Sequence, residues 1–549
     1  MTTDSGFDTP ASSQTVPPPD PPRKTDEGVS VHLSEMSISA GGRSLLCNSA
    51  AEFPGGCVSL IIGCSGVGKS LLLRILAGLI DSSDDAIRWT GQIDRQSSSG
   101  PRPDSSAAVV FQNYALFDEL TPRENVEIAL DHTASPSATQ ASVSDRASGL
   151  LDQLGVPTDR PTSVLSGGQQ QRLAIARAVA MDTDIILYDE PTSGLDAATA
   201  ERVARLIRST QEQFRRTSVI ITHDFQALKT IADRIYVLNH VRHSLEEIPR
   251  EQWDRLSKAI GDPPDVDTDS PPQPGLPAKL MSAGSRFLGR SGQSIEEIVR
   301  LPWSLLPMWN SFRWGLRSTR HYLGLVAGPS ACVYITIAGI IIGFVSQDFI
   351  FRYLPFRQYT EPLLIENLLH ATGFSLYRFL VPLLCTILIA ARSGAAVAAD
   401  IGSKVYGNQI DAMKTIGIDP ERSLRTPILY AFLLGTPLLT LLSYAAATLT
   451  AAVAFLATHA DQGVVFWDAH YHKELRDPAA VFYCGSNWLI AKLLCCAAGI
   501  AMVAWNCGST PKQSGPEIST GVTRTILWST LLVLLVHLLF SLLEFQAPV

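Results

Sequence analysis

Gly63-Cys64-Ser65-Gly66-Val67-Gly68-Lys69-Ser70 is the stretch that determines the fold of the first half of this 549-residue chain. A glycine followed four residues later by Gly-Lys-Ser is the spacing of a phosphate-binding loop, provided that a strand precedes it and a helix follows. The strand-like run Val58–Ile62 precedes the loop, and the helical pattern Leu71–Leu79 follows it. Glycines let backbone amides turn toward phosphates, and the helix N-terminus adds a positive dipole end. We therefore predict that all eight residues bind ATP, with Lys69 at the β- and γ-phosphates and the Ser70 hydroxyl on Mg²⁺.

Two acids end a second apolar run, Ile185–Tyr188. From about residue 29 to residue 257, strand-like runs alternate with helical patterns, which predicts an α/β domain with a largely parallel sheet. A buried strand of such a sheet delivers its last side chains to the carboxyl edge, where ligands bind. We predict that Asp189 holds the water shell of the metal and that Glu190 polarises the attacking water as general base.

Leu165-Ser166-Gly167-Gly168-Gln169-Gln170-Gln171-Arg172 opens a third helical pattern. This motif matches the signature of the ATP-binding cassette family, which the sequence resembles. The resemblance covers about residues 30–250. The resemblance implies that Gln112 is the Q-loop glutamine, with a part in catalysis and in Mg²⁺ binding. It also implies that Asp196 of the D-loop contacts ATP and that His223 is the switch histidine.

The same resemblance implies that two such domains face each other head to tail. Each ATP would then lie between the Lys69 loop of one chain and Ser166, Gly167, Gly168 and Gln169 of the other. The signature glycines and a helix N-terminus would form a second anion cradle. One departure from the family lies near residues 39–42, where Ser-Ala-Gly-Gly replaces the aromatic residue that usually stacks on adenine. Stacking on adenine must therefore be weaker or be supplied by other residues, and we assign no residue to adenine.

The second half of the chain is apolar. Charged residues make up 17% of the whole sequence, against roughly 25% in an average soluble protein. Five apolar runs approach or exceed the ~20 residues that cross a bilayer as a helix: Tyr322–Val345, Ser375–Ala391, Pro427–Ala457, Trp488–Trp505 and Ile526–Leu543. We predict an all-α polytopic membrane domain, preceded by an interfacial helix over Leu301–Arg320.

Composition divides the chain into four parts. We predict a disordered tail over residues 1–28, a nucleotide-binding domain over 29–258, a Pro/Asp-rich linker over 259–292 and a membrane domain over 293–549. The net charge of −8 gives no electrostatic footprint for nucleic acid.

Arginine and lysine are concentrated in the loop between the second and third apolar runs. The positive-inside rule places that loop, and with it the N-terminal domain, in the cytoplasm. Five spans then place Val549 on the opposite side. We predict a multi-pass protein of a bacterial inner membrane.

Ala391-Arg392-Ser393-Gly394-Ala395-Ala396, followed by Asp400–Met413 and Gly417-Ile418-Asp419-Pro420, resembles the MlaE permease family of phospholipid transporters. The resemblance covers roughly residues 295–547 and implies a phospholipid cargo, an extracytoplasmic Mce-domain partner and a homodimer. One motif departs from the family. Where the family often has Arg-Glu-Leu-Gly-Pro, this chain has Arg378-Phe379-Leu380-Val381-Pro382, so the acid is missing.

Together these features predict a fused half-transporter, ATPase first and permease second, that hydrolyses ATP to move lipid. The first alternative is an exporter that resembles the ABCG group. The second is a protein that does not transport, in which the cassette transmits force to a periplasmic partner. Two details stay open. The Gly339-Ile-Ile-Ile-Gly343 pattern permits close helix approach either within one subunit or between two. His537 lies inside the last apolar run, and bonding to a neighbouring helix is the simpler interpretation.

Overall fold

The fold is described from a computed structural model. It describes residues 28–81, 87–97, 100–101, 107–133, 140–255, 312–352, 357–476, 482–512 and 514–546. These residues fall into two compact units, one within residues 1–266 and one within residues 267–549. Most of the predicted tail, the whole predicted linker and residues 301–311 of the predicted interfacial helix lie outside the described residues.

Two sheets form the strand part of the first unit. The strands are β1 Ser30–Ala40, β2 Arg43–Phe53, β3 Val58–Ile62, β4 Ile87–Ser97, β5 Gly100–Pro101, β6 Ala107–Val110, β7 Ile185–Asp189, β8 Thr217–Thr222, β9 Arg234–Asn239 and β10 Ser244–Glu247. An antiparallel sheet has the order β2-β1-β4-β5, and a six-stranded sheet has the order β10-β9-β3-β8-β7-β6. In the second sheet, β9, β3, β8, β7 and β6 are parallel, and β10 is antiparallel. The predicted α/β fold is thereby confirmed.

Burial explains why the sequence shows apolar runs at these strands. Every residue of β3, β7 and β8 is buried, as is usual in parallel sheets covered on both faces. The helices of this unit are α1 Lys69–Leu76, α2 Pro122–Thr133, α3 Gln140–Gln153, α4 Gly167–Ala180 and α5 Ala197–Phe214. Short 3₁₀ turns lie at Thr162–Val164 and Arg250–Arg255.

The described part of the second unit is helical. Its helices are α6 Phe312–Ala327, α7 Pro329–Arg352, α8 Arg357–Ser375, α9 Val381–Ile389, α10 Ala395–Tyr406, α11 Gln409–Thr415, α12 Thr426–Thr458, α13 Gly463–Tyr471, α14 Ser486–Ser509 and α15 Gly515–Gln546. Three π-helical turns join or begin helices, at Leu376–Leu380, Ala390–Gly394 and Glu421–Arg425.

Five helical stretches among the described residues are long and apolar enough to cross a membrane, as predicted. They are Phe312–Arg352, Leu364–Tyr406, Glu421–Thr458, Ser486–Ser509 and Gly515–Glu544. The second stretch is much longer than the apolar run that predicts it, because π-helical turns continue the helix at both ends of α9. Whether the start of α6 lies in the membrane interface stays a prediction.

Gly339 and Gly343 pack α7 against α12 within the same chain. A Cβ atom at Gly339 would lie 2.4 Å from the Ser443 carbonyl oxygen, and one at Gly343 would lie 2.2 Å from the Ala447 carbonyl oxygen. Only glycine allows two helix backbones to approach so closely. The glycine pattern therefore serves contact inside one subunit.

Candidate functional site: the carboxyl edge of the parallel sheet

The loop between β3 and α1 has the shape that its glycines predict. Gly66 and Gly68 have φ of +81° and +100°, in the left-handed region that glycine adopts without strain. The Lys69 ammonium group donates to the carbonyl oxygens of Gly63 at 2.9 Å and Cys64 at 2.8 Å. Burial lowers the pKa of Lys69, because desolvation disfavours the charged form. The loop therefore encloses a buried cation at the start of a helix whose N-terminus no side chain caps, which suits a bound anion.

Ser70 and Asp189 meet across the sheet. The Ser70 hydroxyl donates to Asp189 Oδ1 at 2.9 Å, although β8 lies between β7, which carries Asp189, and β3, which precedes the helix of Ser70. Burial raises the pKa of Asp189, and the Ser70 hydrogen bond acts in the opposite direction. Hydroxyl and carboxylate oxygens are ligands that Mg²⁺ prefers, usually together with water and substrate phosphates. The pair therefore fits Mg²⁺ held jointly with a nucleotide.

Among the described residues, no three His, Cys, Asp or Glu side chains lie close enough together to hold a metal ion by themselves. Mg²⁺ bound by Ser70 and Asp189 would take water and phosphate oxygens as its other ligands. Metal binding and nucleotide binding would be coupled at this site.

Glu190 and His223 form a direct pair. His223 Nδ1 lies 2.7 Å from Glu190 Oε2, because the two residues follow the adjacent parallel strands β7 and β8. Glu190 has φ of +49°, and its N–H donates to the Ile221 carbonyl oxygen at 2.8 Å. The backbone of β8 thus fixes the direction of the Glu190 side chain. Gln112 is exposed just beyond β6, the other neighbour of β7, at the same edge of the sheet.

The signature residues lie at the N-terminus of α4 and bond to one another. Ser166 is the N-cap: its Oγ accepts from the Gln169 N–H at 3.4 Å, and its N–H donates to Gln169 Oε1 at 3.0 Å. This capping box satisfies two amide donors. Gly167 and Gly168 follow it, and nothing lies within 4 Å of a Cβ built at Gly168. The exposed start of α4 is therefore open to an anion.

Asp196 caps α5. Its Oδ1 accepts from the Thr199 N–H at 3.0 Å, and hydrogen bonds from Thr199 lower the pKa of Asp196. The described bonds thus join Ser70 with Asp189 and Glu190 with His223. The described bonds of Asp196, and those between Ser166 and Gln169, instead cap the helices to which these residues belong. Which of these residues bind nucleotide stays a prediction.

Arg177 is a residue that the sequence interpretation missed. It is 2% exposed, and its guanidinium donates to the carbonyl oxygens of Ala115 at 2.6 Å and Tyr114 at 3.2 Å. It also lies over the Phe117 ring, 5.2 Å from the centroid, and burial lowers its pKa to about 10. The sequence does carry one signal for Arg177: it is an arginine within the apolar part of α4. Arg177 connects the signature helix to the turn after Gln112.

Gln171 provides a second connection from α4. Its Nε2 donates to the Pro191 carbonyl oxygen, one residue after Glu190. The signature helix is therefore fixed both to the turn after Gln112 and to the segment that carries the predicted general base.

Comparison with known proteins finds matches to two different families in two separate parts of the chain. Residues 46–193 match the family described as ABC transporter, and residues 325–543 match the family described as Permease MlaE. The Sulfate/thiosulfate import ATP-binding protein CysA of Acinetobacter baylyi is 34% identical over 232 residues, which cover 41% of this chain and 64% of that protein. The protein of the same name from Escherichia coli K12 is 33% identical over 231 residues, covering 41% and 62%.

A dimeric ATP-binding cassette solved in a post-hydrolysis state with ADP and Pi also matches. It is 28% identical with a TM-score of 0.34, and the match covers 40% of this chain and 99% of that chain. The chain spans less than two thirds of the length of the curated relatives, 64% and 62% for the two named. The two family matches therefore lie one after the other in the same chain: the first unit contains the part that matches the ABC transporter family, and the part that matches Permease MlaE follows it.

Proposed function

We propose that this chain, an ABC ATPase domain followed by an MlaE permease domain, is one half of a homodimeric ATP-driven transporter. Its cargo is phospholipid or a related lipid, moved between a bacterial inner membrane and an extracytoplasmic Mce-domain carrier. The observation that carries the proposal is the match of residues 325–543 to Permease MlaE behind an ABC ATPase domain. The five apolar helical stretches agree with a multi-pass membrane protein, in which the ATPase domain is cytoplasmic.

In the proposed reaction, bound ATP with Mg²⁺ supplies the phosphoryl chemistry and the free energy. Lys69 and the amides of its loop bind the phosphates, and Ser70 with Asp189 provides oxygen ligands for the metal. Glu190 takes the proton of the attacking water at its carboxylate. His223, 2.7 Å away, holds that carboxylate in position, and Gln112 contributes from the end of β6.

The second anion cradle comes from the other subunit. The exposed N-terminus of α4 fits a phosphate, and its capping residues Ser166 and Gln169 bond to each other. We therefore propose that Ser166, Gly167, Gly168 and Gln169 close the site of the partner subunit, together with Asp196. ATP then stabilises the dimer, and its hydrolysis releases the closed state, which couples the site to the permease.

Sulfate transport is the second candidate, because the curated relatives are named as sulfate and thiosulfate import proteins. That similarity covers 41% of the chain, whereas the helical half matches a different family.

The test uses the full chain purified in detergent and reconstituted in vesicles. We expect phospholipid to copurify, as identified by mass spectrometry, and ATP hydrolysis to rise with added phospholipid. ATP-dependent movement of a fluorescent phospholipid to an acceptor should be absent in Glu190→Gln. Stimulation by sulfate without any lipid dependence would refute the lipid assignment and support the second candidate.

A further inference from the structure

Three charged side chains from three separate segments of the permease domain form one buried cluster. Arg378 Nη1 lies 3.1 Å from Glu544 Oε1, and Lys492 Nζ lies 3.5 Å from Glu544 Oε2. Lys492 and Glu544 are 1% and 4% exposed, and Arg378 is 18% exposed. Arg378 belongs to the π-helical turn before α9, Lys492 to α14 and Glu544 to the end of α15. We call these three residues the charge cluster.

The charge cluster has more positive than negative charge. Within the described residues, Glu544 is the carboxylate that both cations share. Lys492 Nζ also donates to the Arg378 carbonyl oxygen at 3.2 Å, and Arg378 Nε has no hydrogen-bond partner there. A buried charge is costly unless an opposite charge or hydrogen bonds compensate it. One positive charge of this cluster is therefore available for a further anion.

A helix N-terminus adds to this positive potential. Gly485 precedes α14 with φ of +80°, and no side chain caps that helix. A Cβ atom at Gly485 would lie 2.5 Å from Arg378 Cζ, so the guanidinium lies directly against the backbone at this helix start. The positive end of a helix repels a cation and attracts an anion. The position thus favours a second negatively charged group beside Arg378.

The depth of the charge cluster fits a lipid headgroup. Lys492 lies in the second turn of α14, roughly 9 Å along its axis from Ser486, and Glu544 lies in the last turn of α15. Trp488, one turn before Lys492, contacts Phe540, one turn before Glu544, with ring centroids 6.3 Å apart. Trp488 is 37% exposed, and tryptophans concentrate at the level of lipid headgroups.

We infer that the charge cluster binds the phosphate group of a phospholipid headgroup. The inference rests on the proposed function, because it assigns a headgroup class to the cargo. The planar guanidinium of Arg378 suits two oxygens of one phosphate, and Lys492 supplies a point charge. Glu544 holds the two cations together without neutralising both.

The test compares two lipids with the same acyl chains, phosphatidylglycerol and diacylglycerol, bound to the full chain in detergent. Native mass spectrometry gives their relative affinities. Lys492→Met leaves Arg378 and Glu544 as a neutral pair, so the preference for phosphatidylglycerol should fall about tenfold, as expected for loss of one charged contact. Glu544→Gln increases the positive surplus, so its preference should equal or exceed that of the wild type. Lys492→Arg should keep the preference.

A binding site predicts that the preference for phosphatidylglycerol falls in Lys492→Met but does not fall in Glu544→Gln. A purely structural cluster predicts the same effect in both variants. Equal loss of both lipids in Lys492→Met and Glu544→Gln would overturn the inference, as would an unchanged preference in Lys492→Met. If Lys492→Met does not fold, loss of the preference in a folded Glu544→Gln chain overturns it equally. Inorganic phosphate is the third probe: displacement of phosphatidylglycerol by millimolar phosphate would assign the site to the free anion and overturn the lipid source.

The outcome stays distinct from that of the proposed function. If the wild type binds phosphatidylglycerol with the predicted preference but shows no ATP-dependent lipid movement, the transport proposal fails and the headgroup site stands. If lipid movement depends on ATP but Lys492→Met keeps the full preference, the headgroup site fails and the transport proposal stands.

Discussion

Glu190 is positioned by the backbone of its neighbouring strand. Its N–H donates to the Ile221 carbonyl oxygen, its φ of +49° is unusual for a non-glycine residue, and His223 lies 2.7 Å from its carboxylate. A non-glycine residue in the left-handed region persists only where the surrounding structure fixes it. The unusual backbone conformation of Glu190 thus directs its carboxylate toward the position where the predicted nucleotide phosphates would lie.

Glu190→Gln keeps the size and the hydrogen-bonding capacity of the side chain but removes its basicity. We expect ATP hydrolysis to fall by roughly a hundredfold or more, the usual contribution of a general base, and ATP affinity to stay unchanged. Steady-state hydrolysis and equilibrium binding measure the two effects. Glu201→Gln, an exposed acid on α5, is the control and should retain full turnover.

At the scale of elements, side chains of α4 hold two segments of the predicted site in position. Arg177 binds two carbonyl oxygens of the turn after Gln112, and Gln171 binds the carbonyl oxygen of Pro191. Tyr114 and Ala115, the residues that Arg177 contacts, both have positive φ. The position of this turn therefore depends on a side chain from a helix about sixty residues later in the chain.

Arg177→Met removes these buried charged hydrogen bonds and leaves two carbonyl oxygens unpaired. Because each such bond contributes about 1.5–3 kcal/mol, we expect the apparent melting temperature of the ATPase unit to fall by several degrees. ATP hydrolysis should fall as well, since the turn after Gln112 loses its support. Arg205→Met, on the exposed face of α5, should change neither quantity; an equal effect at both positions would contradict the proposed role of Arg177.

The contact between α7 and α12 gives a second prediction at this scale. In Gly343→Ala, the new Cβ would lie 2.2 Å from a carbonyl oxygen and 2.7 Å from Cα of Ala447, so two backbones must separate. We expect destabilisation of about 1–3 kcal/mol, as for other overpacked sites, seen as a lower apparent melting temperature in detergent. Gly324→Ala on α6, where nothing lies within 4 Å, should stabilise slightly through helix propensity.

At the scale of the whole molecule, the proposed site is complete only in a pair of chains. Lys69→Ala removes the loop contribution, and Ser166→Arg blocks the helix N-terminus. If each site combines the loop of one chain with the signature of the other, either variant alone is inactive. Coexpression of the two should restore ATP hydrolysis, because one of the two sites in the mixed dimer has both intact parts. Failure to restore any activity would mean that each chain closes its own site.

If all five helical stretches cross the membrane, the two ends of the chain lie on opposite sides of it. We expect a reporter fused after Val549 to be extracytoplasmic and one fused before Met1 to be cytoplasmic, following the positive-inside rule. A reporter inserted near Lys512, between α14 and α15, is the cytoplasmic control. Two ends on one side would require an even number of spans and would contradict the topology.

The sequence predicts what is local and leaves open what is distant. The loop at Lys69 and the five apolar runs have characteristic spacing or length, so fold class and span number follow from residues close together in the chain. Arg177 and the charge cluster show no such pattern, because the partners of Arg378 are 114 and 166 residues away in the chain. The π-helical turns are missed for another reason: each is a single turn of five residues, too short to show a periodicity of its own.

The glycine contacts between α7 and α12 limit how the permease domain can move. Backbones that touch at two successive positions have no flexible side chains between them to absorb sliding. The two helices must therefore move together as one rigid body. If the domain moves lipid as proposed, its passage has to open by the remaining helices turning or tilting around this pair.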